Sequence, residues 1–203
     1  LGDVYKRQMS YVIDVYSGRV QVQKNILKFA LYVSFFPQLI AGPIVKYSGV
    51  ARQIDTRKES APLFLSGQRR FICGLAKKVL LANTFALTAD AVWAMEPELM
   101  GSLTAWLGAL SYTMQIYYDF SGYSDMAIGL GRMFGFRFKE NFNYPYTSLS
   151  VQEFWRRWHI SLSSWFKEYV YFPLGGSREG SGKTYRNVFI VFLLTGIWHG
   201  ANF

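Results

Sequence analysis

Long stretches without a charged residue constrain this chain most. Leu99–Tyr118 holds twenty residues without a charge, and as a helix it would be about 30 Å long, enough to cross a bilayer. Phe29–Val45 and Val188–Phe203 are also uncharged, although the former is short and contains two prolines. One such stretch is typical of a buried core helix, but three in a chain with 14 Tyr and 6 Trp favour a membrane protein. We therefore expect an all-α, polytopic integral membrane protein.

The positive charge lies between these uncharged stretches. The chain has 22 Lys and Arg against 13 Asp and Glu, a net charge of +9. Loops rich in Lys and Arg tend to stay on the cytoplasmic side and attract anionic lipid headgroups. A nucleic-acid interface is the rival explanation, but the basic residues are spread among apolar segments and no recognition motif accompanies them. The expected partner of this charge is therefore the lipid bilayer, with no nucleic acid.

Cysteine chemistry contributes little to this chain. Cys73 is the only cysteine, so an internal disulfide is excluded, and no companion ligands accompany it for a zinc site. We expect no metal.

The two ends of the chain do not look like the ends of a membrane protein. Residues 1–8, LGDVYKRQ, show no signal-peptide pattern and resemble translated adapter sequence, so we expect a non-native leader. The other end stops inside an apolar stretch at Phe203. Residues 9–203 are therefore expected to be part of a longer domain, truncated at both ends.

A helix lying in the headgroup plane is predicted over Leu63–Ala82. On a helical wheel its basic residues occupy one half and its large apolar residues the other. The basic set is Arg69, Arg70, Lys77 and Lys78, and the apolar set is Phe71, Ile72, Leu75 and Val79. Such a helix lies with its apolar face toward the acyl chains.

Two carboxylates follow directly on the longest uncharged stretch. Asp119 and Asp125 would be costly there unless they were paired or wet, so they are candidates for a functional site. Ion pairs with Arg132 or Arg137, serving only to fix a turn, explain them equally well.

His159 lies in the aromatic segment EFWRRWHISLSSWF. Ser150 and Glu153 form the pattern of a capping box, which predicts a helix from there to about Tyr171. On this helix His159 falls at the border between the apolar and the polar side, beside Ser163. That position suits a residue that lines a cavity, and it equally suits a structural hydrogen bond.

His199 is the only other histidine, and it follows an uncharged helix. It has no charged neighbour within ten residues, and Gly196 and Gly200 leave space around it. A histidine at bilayer depth is a candidate site residue, because a neutral imidazole can move a proton near neutral pH. A satisfied core histidine is the alternative.

Several blocks of the chain together resemble the membrane-bound O-acyltransferase family, closest to its bacterial alginate O-acetyltransferase branch. The resemblance covers the chain from about Tyr11 to its end. The blocks are FFPQLIAGPI (35–44), QIYYDFSGYSDMAIGLGRMFGF (115–136), ENFNYPY (140–146), FWRRWHISLSSWF (154–166), YFPLGG (171–176) and GIWHGANF (196–203). The resemblance implies a helical fold with interfacial helices around a tunnel through the membrane, incomplete in this chain.

The resemblance also implies roles for the two histidines. The family's catalytic histidine maps onto His199, which we expect to be the general base, and the second family histidine maps onto His159, which we expect to bind or orient the acyl group. Ser163 or a water would carry that contact, and a covalent serine mechanism is disfavoured because no G-x-S-x-G elbow is present. The candidate substrate-binding residues are Trp198, Ser163, Asp119 and Asp125.

The implied reaction is acetyl transfer in the bacterial inner membrane by a multi-pass protein. The donor would be cytoplasmic, with acetyl-CoA the candidate by analogy, and no cofactor would be bound. The acceptor would be a hydroxyl of an exported polysaccharide such as alginate, or a periplasmic acetyltransferase partner. Two alternatives stay open: a transporter in which Asp119, Asp125 and the histidines relay protons, and a scaffold that docks a soluble acetyltransferase.

Overall fold

The computed structural model of the protein describes residues 2–38 and 42–200, and in these ranges all regular structure is helical. This confirms the all-α class. The α-helices are α1 (Gly2–Tyr16), α2 (Ile26–Ser34), α3 (Tyr47–Thr56), α4 (Ala61–Ala76), α5 (Asn83–Trp93), α6 (Ser102–Met133), α7 (Val151–Arg157), α8 (Ile160–Phe166) and α9 (Ser181–His199). Wider π-helical turns follow α4, at Lys77–Ala82, and α8, at Lys167–Tyr171.

The chain forms two compact units. The first comprises residues 1–34, 44–50 and 140–203, and the second comprises residues 35–43 and 51–139. Helix α1 begins inside the segment that the sequence assigns to a non-native leader. That assignment stays a prediction.

The second unit is built on two antiparallel helices, α4 and α6, whose backbones touch at pairs of glycines. A Cβ on Gly67 would lie 2.5 Å from the carbonyl oxygen of Gly129, and a Cβ on Gly74 would lie 2.5 Å from that of Gly122. Each partner glycine is blocked in return, at 2.7 Å. Small residues at such crossings let helix backbones approach closely, which is a common way to pack helices in membranes.

One helix in the described part of the chain is long and apolar enough to cross a membrane. It runs without interruption from Ala61 to Trp93, because the π-helical turn after α4 joins it directly to α5. The helix predicted over Leu63–Ala82 therefore continues to Trp93, and its placement in the headgroup plane stays a prediction. The basic residues that give it an amphipathic pattern lie between positions 69 and 78 of this longer helix, and the apolar residues that follow extend it.

The three uncharged stretches do not each form a spanning helix. Leu99–Tyr118 lies mostly within α6, which continues for fifteen residues after Tyr118 and includes Asp119, Asp125 and Arg132. Phe29–Val45 is interrupted because α2 ends at Ser34, before a 3-10 turn around Pro37, and proline disfavours helix in the residue before it. Residues 39–41 and 201–203, which belong to two of the blocks described above, lie outside the described residues.

The core of the first unit is aromatic and lies where α8 and α9 meet the segment after residue 43. Ile44, Leu162, Trp165 and Phe166 are all buried, with exposures of 5–6%. Trp198, near the end of α9, packs against this cluster from the side. The core therefore joins the two histidine-bearing segments of the chain.

Candidate active site

His159 connects two short helices and does not lie inside one long helix. Helix α7 ends at Arg157, Trp158 is extended, and His159 has a left-handed backbone with φ of 42° before α8 begins at Ile160. The prediction of one helix from Ser150 to about Tyr171 is wrong at this point. A left-handed residue other than glycine costs about 1–2 kcal/mol, so the surrounding structure must hold it in place.

The beginning of that segment folds as the sequence predicts. The Ser150 hydroxyl accepts a hydrogen bond from the amide of Glu153 at 3.1 Å, which confirms the cap. The Glu153 carboxylate turns back and accepts from the amide of Leu149 at 3.0 Å. This contact, followed by that with Arg157, lowers the pKa of Glu153.

Asn141 holds the break between the two helices. Its carbonyl oxygen accepts from the amide of Ile160 at 2.9 Å, and its side-chain Oδ1 accepts from the amide and the hydroxyl of Ser161 at 3.1 and 2.8 Å. The Ser161 hydroxyl in turn accepts from the amide of Ile44 at 3.0 Å. Asn141 is fully buried, so these bonds form away from water, where losing one is costly. They fix the backbone directly after His159, where α8 begins.

The sequence reasoning missed Asn141 and Ser161 as residues of the site. Both lie inside blocks that carry the family resemblance, ENFNYPY and FWRRWHISLSSWF. A signal was available, because asparagine directly before an aromatic run is a poor helix former and its side chain often bonds to nearby backbone.

The His159 imidazole is buried and stays neutral. Its side chain is 3% exposed, and burial lowers its pKa to about 3, with further lowering by the charges of Lys6 and His199. Helices α7 and α8 have seven residues each, too few to cross a bilayer, and His159 lies outside the Ala61–Trp93 helix. At neutral pH this ring is therefore an uncharged group that can donate one hydrogen bond and accept one.

His199 is the last residue of α9, and its side chain is exposed in the described part of the chain. Among the described residues His159 is the more deeply buried of the two histidines, and the water-poor environment expected for His199 stays a prediction. The neighbouring Trp198 ring lies edge-on to the His199 imidazole, with 4.4 Å between ring centroids, and it also packs on the aromatic core. His199 is thus anchored through the tryptophan before it. It lies near enough to His159 to influence the pKa of that ring.

Lys6 lies against the same tryptophan. Its Nζ is 3.1 Å from the centroid of the Trp198 ring. Because residues 1–8 are predicted to be a non-native leader, we assign Lys6 no role at the site.

Ser163 is half-buried one turn after His159, and its amide donates to the His159 carbonyl oxygen at 3.1 Å. This is a backbone contact, and the hydroxyl that bonds to the break is that of Ser161. A role for the Ser163 side chain in binding substrate stays a prediction.

Asp119 and Asp125 belong to the second unit, where both form ion pairs. Asp125 accepts from Arg70 at 2.7 Å and from Lys77 at 2.6 Å, and Asp119 pairs with Lys78. The expectation that pairing satisfies these carboxylates holds, but the cations come from the helix containing α4 and not from Arg132 or Arg137. Arg132 donates to the hydroxyl of Ser66 at 3.0 Å instead. Substrate binding by either aspartate stays a prediction.

Within residues 2–38 and 42–200 no group of three or more His, Cys, Asp or Glu side chains could hold a metal ion. The first unit contains two imidazoles, one neutral and buried, the other beside a tryptophan that packs on the core.

Comparison with known proteins places this arrangement in a class. The sequence profile of the membrane-bound O-acyltransferase family matches residues 17–203. The chain belongs to the membrane-bound O-acyltransferase family, and it is therefore a membrane protein.

Individual relatives refine the comparison. The chain is 53% identical over 195 residues to the probable alginate O-acetylase AlgI of Pseudomonas putida, covering 96% of the chain and 40% of that protein. It is 47% identical over 185 residues to the peptidoglycan O-acetyltransferase of Helicobacter pylori, covering 87% of the chain and 34% of the relative. It is 30% identical over 203 residues to the teichoic acid D-alanyltransferase of Bacillus subtilis, covering 93% and 50%. The chain thus spans half or less of the length of these relatives.

Proposed function

We propose that the protein is an O-acyltransferase that moves an acetyl group from a cytoplasmic donor toward a hydroxyl of an exported polysaccharide such as alginate, or toward a periplasmic relay partner. The observation that carries the proposal is that Trp198, directly before His199, packs on the buried cluster of α8, the helix that begins directly after His159, in a chain that belongs to this family. The relatives support the polymer acceptor, because their names specify alginate, peptidoglycan and teichoic acid.

His199 is the general base in this proposal. Its imidazole takes the proton of the acceptor hydroxyl while the hydroxyl oxygen attacks the carbonyl carbon of the donor ester or thioester. The carbon–oxygen bond of the product forms, the bond to the leaving group breaks, and the leaving group takes up the proton. Such help from a positioned base contributes roughly 10²–10⁴ in rate.

His159 binds or orients the acyl group. Its lowered pKa keeps the ring uncharged at neutral pH, so the ring can donate a hydrogen bond to an acyl oxygen without carrying a positive charge. The bonds of Asn141 to Ile160 and Ser161 fix the backbone that follows His159, and a fixed backbone supports an orienting role.

The protein would reside in the bacterial inner membrane and cross it several times. The family is membrane-bound, and the Ala61–Trp93 helix is long enough to span. Acetyl-CoA is the proposed donor and a periplasmic acetyltransferase the proposed partner. The transporter alternative loses support because both aspartates of its relay are bound to lysine or arginine.

Polymer acetylation in cells expressing the full-length protein tests the proposal. His199→Ala should abolish acetylation, and His159→Ala should reduce it strongly, at membrane levels equal to wild type. Tyr185→Phe is the matched control on the helix that ends at His199, because Tyr185 is 75% exposed and far along that helix from the site. Wild-type acetylation by His199→Ala would contradict the catalytic role and return the scaffold or transporter to consideration.

A further inference from the structure

A cavity of about 460 Å³ opens in the second unit, where α3 ends, α4 begins and α6 has ended. Its size lies in the range of small-molecule sites. The residues that line it are Gln53, Thr56, Arg57, Lys58, Ser60, Leu63, Gly135 and Arg137. Neither histidine belongs to this unit or lines the cavity.

The lining carries three positive charges and no negative one. Arg57, Lys58 and Arg137 contribute the charges, and none of them forms an ion pair with a carboxylate in the described ranges 2–38 and 42–200. By contrast, Arg70 and Lys77 of the same unit are both occupied by Asp125. A concave surface lined by charges of one sign concentrates ions of the opposite sign.

The protein holds the backbone of Arg137 and the side chain of Arg57 in place. The Gln53 side chain brackets the backbone of Arg137: its Oε1 accepts from the Arg137 amide at 2.8 Å, and its Nε2 donates to the Arg137 carbonyl at 3.2 Å. Arg57 donates to the carbonyl of Ile54 at 3.0 Å, and its guanidinium carbon lies 4.8 Å from the centroid of the Phe136 ring. The Arg57 contacts reduce the conformational entropy that this side chain would lose on binding an anion.

The start of a helix also lies beside the cavity. Ser60 is the N-cap of α4, and Leu63 of its first turn lines the cavity, so the positive end of the helix dipole lies beside the cations. Gly135, with φ of +79°, packs closely on the other wall, where a Cβ would lie 3.3 Å from the Cγ of Glu59 and 3.4 Å from the carbonyl oxygen of Lys58.

We propose that this cavity binds a phosphate group. Phosphate fits because Arg and Lys donate charge-assisted hydrogen bonds to its oxygens, and Arg can do so in a bidentate manner. The cavity lies at the start of the Ala61–Trp93 helix, where a spanning helix would leave the bilayer, so two sources are within reach. One is the headgroup of an anionic phospholipid, and the other is a soluble phosphate ester. The proposal does not depend on acyl transfer.

The test uses the full-length protein in nanodiscs and compares two substitutions that each remove one positive charge. Lys58→Gln removes a cation from the lining, whereas Lys139→Gln removes an exposed lysine that does not line the cavity. Lys58 is exposed and caps no helix, so this variant should fold normally, which a thermal unfolding curve checks. A triple variant that adds Arg57→Gln and Arg137→Gln to Lys58→Gln removes the remaining positive charge of the lining.

The probes are inorganic pyrophosphate, measured by calorimetry in phosphatidylcholine nanodiscs, and phosphatidylglycerol, measured by its retention in native mass spectra. A soluble source predicts pyrophosphate binding that weakens about tenfold in Lys58→Gln but not in Lys139→Gln. A lipid source predicts that phosphatidylglycerol retention shows this pattern instead. If both probes respond equally to the two substitutions, or the triple variant binds both as the wild type does, the proposal is overturned.

Discussion

Replacing His159 by asparagine should remove a pH-dependent part of the protein's stability. His159 ordinarily titrates near 6.5, and burial lowers its pKa in the folded state to about 3. Between these values the unfolded chain binds a proton that the folded chain excludes. The free energy of unfolding therefore decreases as the pH falls below 6.5, and it is unaffected by this group above that value. Asparagine is the suitable replacement because it tolerates the left-handed backbone at this position and does not titrate.

The size of the effect follows from the pKa shift. Each pH unit between 6.5 and the lowered pKa is worth about 1.4 kcal/mol, so at pH 5 this group destabilises the wild-type fold by about 2 kcal/mol relative to pH 7. The 3% exposure of the side chain justifies the conversion, because little solvent screens the ring. Carboxylates also contribute to acid sensitivity, but they are shared by both proteins and cancel in the difference.

The assay is denaturant unfolding in detergent micelles at pH 7.5, 6.5, 5.5 and 5.0. The difference in unfolding free energy between wild type and His159→Asn should change steadily below pH 6.5, in favour of the variant. Ser163→Ala is the control, since it lies one turn away and has no titratable group; it should keep the wild-type pH dependence. Parallel curves for wild type and His159→Asn would refute the inference that the imidazole is buried and neutral.

Three further predictions concern the contact of α4 with α6, the ion pairs of Asp125 and the hydrogen bonds of Asn141. Gly74→Ala needs its new Cβ to move from 2.5 Å to at least 3.4 Å from the Gly122 carbonyl, a shift of 0.9 Å, and should lower stability by about 1–2 kcal/mol in thermal unfolding. Gly49→Ala is the control: its new Cβ meets nothing within 4 Å, so the substitution should be neutral or stabilising. A larger loss of stability in Gly49→Ala than in Gly74→Ala would contradict the close contact of α4 and α6. Asp125→Ala leaves two cations without their carboxylate and should cost about 1–3 kcal/mol by the same assay; an unchanged midpoint would show that the ion pairs contribute nothing. Asn141→Ala should lower both polymer acetylation and stability, because it removes the two side-chain hydrogen bonds to Ser161. Normal acetylation by this variant would show that these hydrogen bonds do not support the site.

The sequence predicts helices well where the signal is local. The cap at Ser150 is confirmed because a serine followed three residues later by glutamate satisfies the first amides of a helix through contacts within one turn. The same segment shows the limit. Apolar spacing continues through Trp158, so it predicts one helix, whereas the break at His159 depends on Asn141, which is 18 residues away in sequence.

Membrane topology and ion pairing were harder to predict for the same reason. A wheel drawn over Leu63–Ala82 shows an amphipathic face, but it does not show that a wider turn joins this segment to α5. The carboxylate of Asp125 was expected to pair within its own region, with Arg132 or Arg137. Its partners come from α4 and the turn after it because the glycine contacts bring that helix against α6. Contacts between distant segments decide these features, and no single stretch of sequence contains them.

The left-handed residue at position 159 also decouples the orientation of the site from the helix before it. In an uninterrupted helix every inserted or deleted residue would rotate all later side chains by about 100°. Here α8 starts afresh after His159, and its first amides are bound by Asn141, which belongs to a different segment. A change in the length of α7 would therefore be absorbed at Trp158. The direction of the imidazole can persist while the aromatic helix in front of it varies in length between related proteins.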